Sequence, residues 1–123
     1  MSKRFCFTRH QILRQNAGLA VLRDFCAVKT QTPFLTAAHE ALTNAARHGS
    51  AETDEIVFRV GQNGRYWAMS VTQKKQIRFV PSEKTYCGTA LMRRHCVRLR
   101  ISPKRNALFL AVEKKEAKNA LSR

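Results

Sequence analysis

The sequence predicts an α+β fold, a two-layer sandwich in which helices cover one face of a mixed, mostly antiparallel sheet. Two observations favour this class. Segments with helical and strand periodicity follow one another in the order strand, helix, helix, two strands, helix, two strands. The 123 residues are 44% hydrophobic, which is enough for one core. We therefore expect a single domain over residues 1–112 and a charged C-terminal tail over residues 113–123.

The N-terminal third of the chain reads as one strand and two helices. Residues 3–8 alternate loosely between apolar and polar side chains, which predicts a short strand. Residues 10–26 carry apolar side chains at helical spacing, which predicts one continuous core-facing helix. Thr32 followed by Pro33 is a typical helix start and Gly49 is a typical stop, so a second helix is expected over residues 33–48.

The middle of the chain contains the clearest β-hairpin. Residues 56–60 and 65–72 have strand composition and flank the turn sequence at residues 61–64, which begins and ends with glycine. The second of these strands places Trp67 and Met69 on the same face. That face is expected to pack against the helices.

A second hairpin is predicted near the C-terminus, over residues 97–101 and 107–112 with a turn between them. The residues before it fit a strand or a loop at 77–81 and a short helix at 89–95. The first strand of the hairpin alternates strictly, so Arg98 and Arg100 are expected to point outward. The side chains expected to point inward are Val97, Leu99 and Ile101.

The charge of the chain is large and unevenly distributed. The net charge is +15; residues 1–73 contribute +4 and residues 74–123 contribute +11. Such a field attracts polyanions, either an acidic protein surface or nucleic acid, with an association that weakens as salt increases. The expected contact residues are four basic side chains of the second hairpin, because arginine and lysine suit carboxylates and phosphates. They are Arg98, Arg100, Lys104 and Arg105.

The sequence contains no run of 18 apolar residues and no signal-peptide pattern. We therefore expect a cytoplasmic protein without a membrane partner. The four cysteines form no C-x-x-C pair, so a zinc ribbon is not indicated. Cys87, His95 and Cys96 include zinc-ligand types, but the sequence supplies no fourth ligand beside them, so a zinc site is not expected.

Glu40 and Asn44 are the most informative pair in the chain, because four residues on a helix place both side chains on one face. The Asn oxygen can ligate Mg²⁺, and the Glu carboxylate can act as a base toward a hydroxyl or water. A solvated helix face with no ligand is the alternative.

The segment EALTNAARHG at residues 40–49 resembles the N-box of the GHKL (Bergerat) ATPases, and in particular the anti-sigma factor Ser/Thr kinases of bacterial partner-switching systems. The similarity covers most of the chain. Other matching segments are residues 7–28, 56–72, 86–92 and 97–112. The resemblance implies the Bergerat fold and a Mg-ATP site in which Glu40 is the catalytic base and Asn44 holds Mg²⁺. It also implies a sigma factor or an anti-anti-sigma-like protein as partner, and a homodimer.

The chain departs from this family where the nucleotide is bound. The family's Asp-x-Gly-x-Gly loop is replaced by TQKKQI at residues 72–77, the lid is reduced to residues 78–87, and only Gly88 remains of the second glycine motif. A Gly backbone allows close approach that Lys and Gln would obstruct. If ATP still binds, Lys74, Lys75 and Gly88 are expected near its phosphates. We otherwise expect no cofactor.

Three functional hypotheses follow. The first is a degenerate relative of the anti-sigma factor kinases that regulates by protein–protein binding, with lost or weakened ATP use. The second is an active Mg-ATP-dependent Ser/Thr kinase of the same type. The third is a basic nucleic-acid-binding protein that uses the C-terminal half.

Overall fold

The computed structural model describes residues 2–27, 32–75 and 94–114. Gly88, Cys87, the predicted segment 77–81, most of the predicted helix 89–95 and the tail beyond Lys114 lie outside these ranges. The described elements are, in chain order, β1 (Ser2–Thr8), α1 (Arg9–Gln15), α2 (Ala17–Cys26), α3 (Pro33–His48), β2 (Glu55–Gln62), β3 (Tyr66–Thr72), β4 (Arg98–Ser102) and β5 (Ala107–Glu113). The α+β class is confirmed.

The strands form a five-stranded sheet in the order β1-β2-β3-β5-β4. The prediction of a mixed sheet is wrong for these strands, because all four pairings are antiparallel. The helix α3 packs against β2, β3 and β5, and α1 and α2 pack against α3. The arrangement is compatible with a two-layer sandwich, and it leaves the opposite face of the sheet without a described helix.

The helix predicted over residues 10–26 is two helices. Asn16 ends α1 and begins α2 in the left-handed conformation, with φ 52°. Asn tolerates this conformation better than most side chains do. The break lets α2 approach α3 closely: a Cβ atom on Gly18 would lie 2.7 Å from Cδ1 of Leu42.

The prediction for α3 is confirmed over residues 33–48. The Thr32 hydroxyl accepts a hydrogen bond from the Leu35 N–H at 3.2 Å, and Pro33 occupies the first turn. This N-cap satisfies one of the N–H groups that a helix start leaves without a partner.

The core lies between α3 and the inner face of the sheet. Phe34, Leu35 and Leu42 of α3 are fully buried or nearly so. The buried side chains of the sheet are Ile56, Phe58, Val60, Met69, Val71, Leu110 and Val112. Trp67 joins the core as predicted, with its ring 5.7 Å from that of Phe34. The sheet and α3 therefore fix each other's position.

The inward placement of Val97 is wrong. Its side chain is 47% exposed, because β4 begins at Arg98 and Val97 lies just outside the strand. Leu99 and Ile101 are half-buried, and Leu99 packs against the core, as the alternation predicts. At the other end of the hairpin, β5 continues to Glu113, one residue into the predicted tail.

Candidate functional site

The outer face of the sheet, opposite the helices, carries an aligned row of side chains. Strand residues alternate between the two faces, so the pairing register decides which outward side chains are neighbours. One row across the strands consists of Arg4, Arg59, Ser70, Phe109 and Arg100. The next row consists of Ser2, Gly61, Ala68, Ala111 and Arg98. Arginines thus stand at both sides of the sheet, and smaller side chains lie between them.

These two rows enclose a groove of about 420 Å³. Its floor includes Gly61, Ala68 and Ala111. Glycine has no side chain and alanine only a methyl group, so little side-chain volume fills the space above the central strands. We call the groove, together with Arg4, Arg59, Arg98 and Arg100, the arginine trough.

The arginines of the trough are exposed. Among residues 2–27, 32–75 and 94–114, none of their guanidinium groups has a carboxylate or any other hydrogen-bonding partner. The acidic side chains on this face lie at its two ends: Glu55 accepts a hydrogen bond from the Cys6 thiol at 3.1 Å, and Glu113 stands beside Tyr66. The middle of the face therefore carries a positive potential that the described part of the protein does not neutralise.

The structure divides the basic patch that the sequence predicts. Arg98 and Arg100 line the trough. Lys104 and Arg105 are exposed in the turn that joins β4 to β5, outside the trough. These two pairs are close in sequence and equal in charge, but they belong to different surfaces.

Arg4 and Arg59 were not among the candidate residues. The alternation within β1 and β2 could have placed each of them on the outer face. Their proximity to Arg98 and Arg100 depends on the strand order, which a local pattern does not contain.

Glu40 and Asn44 lie on α3, four residues apart, and both are half-buried. The hydroxyl of Thr43 donates a hydrogen bond to the Glu40 carbonyl at 3.1 Å. Neither the Glu40 carboxylate nor the Asn44 amide has a hydrogen-bonding partner among the described side chains. Both groups keep their capacity to bind a ligand.

The loop after β3 reaches the C-terminal end of α3, the end nearer Asn44. The Lys75 N–H donates a hydrogen bond to the Gly49 carbonyl at 2.9 Å, and the Gln73 N–H donates to the Asn106 carbonyl at 3.0 Å. Gln73 lies so close to Gly49 that a Cβ atom there would collide with its side-chain amide. Lys74 and Lys75 are exposed here, so the structure brings both lysines to the same end of α3 as Asn44. Gly88 lies outside the described residues.

Burial changes the acidity of several side chains. It lowers the pKa of His39, an effect that Arg47 and Arg23 reinforce and Glu40 opposes. Burial raises the pKa of Cys96 to about 11, and that of Cys26 to about 11 with Lys114 opposing the shift. These two thiols are therefore protonated and poor nucleophiles near neutral pH.

Comparisons with known proteins do not assign the chain to a family: no protein-family model matches it, and no curated protein matches it. Within the described ranges, no three His, Cys, Asp or Glu side chains come together in a way that could hold a metal ion. None of the described helices is long and apolar enough to cross a membrane.

Proposed function

We propose that this chain is a regulatory binding protein that resembles the anti-sigma factor kinases, has a Bergerat-type fold, and binds an acidic protein partner through the arginine trough. The partner class is a sigma factor or an anti-anti-sigma-like protein. ATP use is lost or weakened. The binding surface comprises Arg98 and Arg100 from the sequence hypothesis, joined by Arg4 and Arg59.

The observation that carries this proposal is the set of exposed arginines on the outer sheet face whose guanidinium groups have no partner within the described residues. A guanidinium group presents several N–H donors in a plane and binds a carboxylate with two parallel hydrogen bonds. Exposed arginines are usually solvated, but here three of them line one groove and Arg4 lies directly beside Arg59. Together they raise the local potential and attract an acidic surface. The apolar floor between them adds area that a partner can remove from water.

The loop after β3 supports weakened ATP use. Thr72 stands where the family has the Asp that reads adenine, and a hydroxyl cannot replace an ionised acceptor. Counted from Thr72, Lys74 and Gln76 stand where the family has glycines, and Gln73, just before Lys74, is packed onto Gly49. A nucleotide would approach this loop less closely than it approaches glycine backbone.

The test compares two charge-reversal variants of equal charge change. Arg98→Glu/Arg100→Glu alters the trough, and Lys104→Glu/Arg105→Glu alters the neighbouring turn. Affinity is measured by calorimetry against a purified sigma factor and an anti-anti-sigma-like protein encoded near the gene. We expect the wild-type protein to bind one of these candidates. The first variant should bind it at least about tenfold more weakly, and the second should bind it almost as tightly as the wild type does. Equal losses, or no binding of either candidate protein, would contradict the proposal.

An active Mg-ATP-dependent kinase is a second candidate, because Lys74 and Lys75 lie at the same end of α3 as Asn44, and Glu40 lies about one turn before Asn44. In this function Glu40 would accept the proton of a substrate Ser or Thr, and Asn44 would hold Mg²⁺. Calorimetry with Mg-ATP on wild type and Asn44→Ala tests it. Salt-resistant binding that prefers ATP over other triphosphates, and that Asn44→Ala abolishes, favours the kinase. Salt-sensitive binding that ignores the substitution rejects it.

A further inference from the structure

The arginines of the trough form two pairs separated by a gap of defined width. Arg4 and Arg59 are directly opposite each other on β1 and β2, whereas Arg98 and Arg100 are both on β4. Three strand spacings separate β2 from β4. At about 4.8 Å each, they place Arg59 about 14 Å from Arg98 and Arg100, with Arg4 one strand further out.

This gap matches the width of an α-helix. A helix with its side chains is about 10–12 Å across. An extended strand is narrower, since strands in a sheet lie about 4.8 Å apart, and it would leave one arginine pair out of reach. A second copy of the same face is unfavourable, because it would place arginines against arginines.

The floor of the trough favours a helix with an apolar stripe. Gly61, Ala68 and Ala111 leave room above the central strands, and Phe109 supplies a larger apolar contact. Stacking of successive nucleic-acid bases needs several aromatic side chains, and Phe109 is the only one on the described floor. The floor therefore suits aliphatic side chains better than bases.

The spacing along β4 also fits a helix. Two residues of a strand span about 6.7 Å, which separates Arg98 from Arg100. Carboxylates at positions i and i+4 of a helix are about 6 Å apart along its axis. A helix lying along the strands could thus present two carboxylates to this pair, while Arg4 and Arg59 converge on a carboxylate at its other side.

We propose that the arginine trough binds an acidic amphipathic α-helix of the protein partner, with the apolar stripe on the floor and carboxylates on both sides. This inference rests on the proposed binding function and specifies what the trough recognises. It is a helix-in-groove contact in which the charges fix the position and the floor supplies buried area.

The probe is a labelled synthetic peptide of about 18 residues, long enough for about five helical turns, with leucines in one stripe and glutamates beside it. A scrambled peptide of the same composition lacks the stripe, and an oligothymidine of similar length tests nucleic acid. Fluorescence anisotropy is measured at about 0.15 M salt, where long-range attraction is screened. We expect the amphipathic peptide to bind at least about tenfold more tightly than either control probe.

Two variants test the site and are matched by two controls. Ala68→Trp fills the floor, whereas Thr72→Trp adds the same side chain at an exposed position of the same strand and face outside the trough. Arg59→Glu/Arg100→Glu reverses one charge on each side, whereas Lys104→Glu/Arg105→Glu makes the same change in net charge elsewhere. We expect each trough variant to weaken peptide binding at least about tenfold and each control to change it by less than about threefold.

Equal binding of the amphipathic and scrambled peptides would overturn the inference and indicate charge attraction alone. Tighter binding of oligothymidine, sensitive to Arg59→Glu/Arg100→Glu, would overturn it in favour of nucleic acid. If the peptide fails but the protein partner still binds through Arg98 and Arg100, the helix is rejected and the proposed function stands. If both fail, both are rejected.

Discussion

Arg4 and Arg59 lie directly opposite each other on neighbouring strands, with both side chains exposed and no carboxylate beside them in the described structure. Like charges at opposed positions of a sheet are destabilising. The face that we propose for binding therefore carries a cost in stability, as functional sites often do.

Arg59→Glu should consequently stabilise the protein while it weakens partner binding. It replaces a repulsive cross-strand pair with an attractive one, which is worth roughly 0.2–1 kcal/mol. Urea unfolding at low and high salt measures the gain, which should shrink as salt screens the pair. Arg105→Glu, in the exposed turn, is the control for net charge. A loss of stability in Arg59→Glu would contradict this view of the pair.

The close approach of α2 to α3 predicts a specific sensitivity at Gly18. A side chain there meets Leu42, which is only 1% exposed and has little room to move. Gly18→Val should lower the free energy of unfolding by about 1–3 kcal/mol through overpacking. Gly64→Val is the matched control, since nothing lies within 4 Å of a Cβ at Gly64. Similar losses in both variants would mean that the helices are not this close.

The contact between Gln73 and Gly49 predicts coupled substitutions. Gly49→Ala should push the Gln73 side chain away and break its 2.8 Å hydrogen bond to the Lys75 carbonyl. In a Gln73→Ala background the same substitution should cost less, because the obstructing side chain is gone. A double-mutant cycle by chemical denaturation should give a coupling of about 0.5–2 kcal/mol. Additive effects would place the loop away from α3.

The lowered pKa of His39 predicts the sign of a pH dependence of stability. Burial lowers its pKa in the folded protein below the ordinary value of 6.5, so the unfolded chain binds more protons between the two values. Stability should therefore rise with pH through this range and be lost as the pH falls through 6.5. His39→Gln should flatten this part of the unfolding profile. An unchanged slope in His39→Gln would contradict the burial effect.

The half-buried thiols of Cys26 and Cys96 should react slowly. Burial raises the pKa of Cys26 from its ordinary value of 9.0 to about 11, so near neutral pH the folded protein holds roughly one hundredth of the thiolate that an ordinary cysteine has. The variant Cys6→Ser/Cys87→Ser/Cys96→Ala isolates Cys26 for alkylation by iodoacetamide. Its rate in the folded protein should be about 100-fold below the rate in urea. Comparable rates would show that Cys26 is accessible and ionises normally.

Short sequence patterns predict those helices and strands whose ends are determined by residues next to them in the chain. Thr32, Pro33 and Gly49 gave α3 its correct range because capping acts within one helical turn. The break at Asn16 was missed because the apolar spacing continues across it. A left-handed residue there costs little locally, and packing of α2 onto α3 decides the conformation.

The candidate site was predicted only in part for a related reason. Alternation assigned Arg98 and Arg100 to the outer face, since the two faces of a strand differ by one residue. Which residues lie beside Arg98 and Arg100 depends on the position of β5 between β3 and β4, a contact between segments far apart in the chain. Arg4 and Arg59 therefore became candidates only when the strand order was known.

The strand order also puts β1 and β4 at the two edges of the described sheet, and each edge carries trough arginines. An edge strand offers free backbone groups to which another chain can add, and charged side chains discourage such growth. The arginines that attract an acidic helix thus also protect the protein from aggregating edge to edge. Neutral substitutions at Arg4, Arg98 and Arg100 should lower solubility, whereas glutamate keeps a charge at each edge and leaves the protein dispersed.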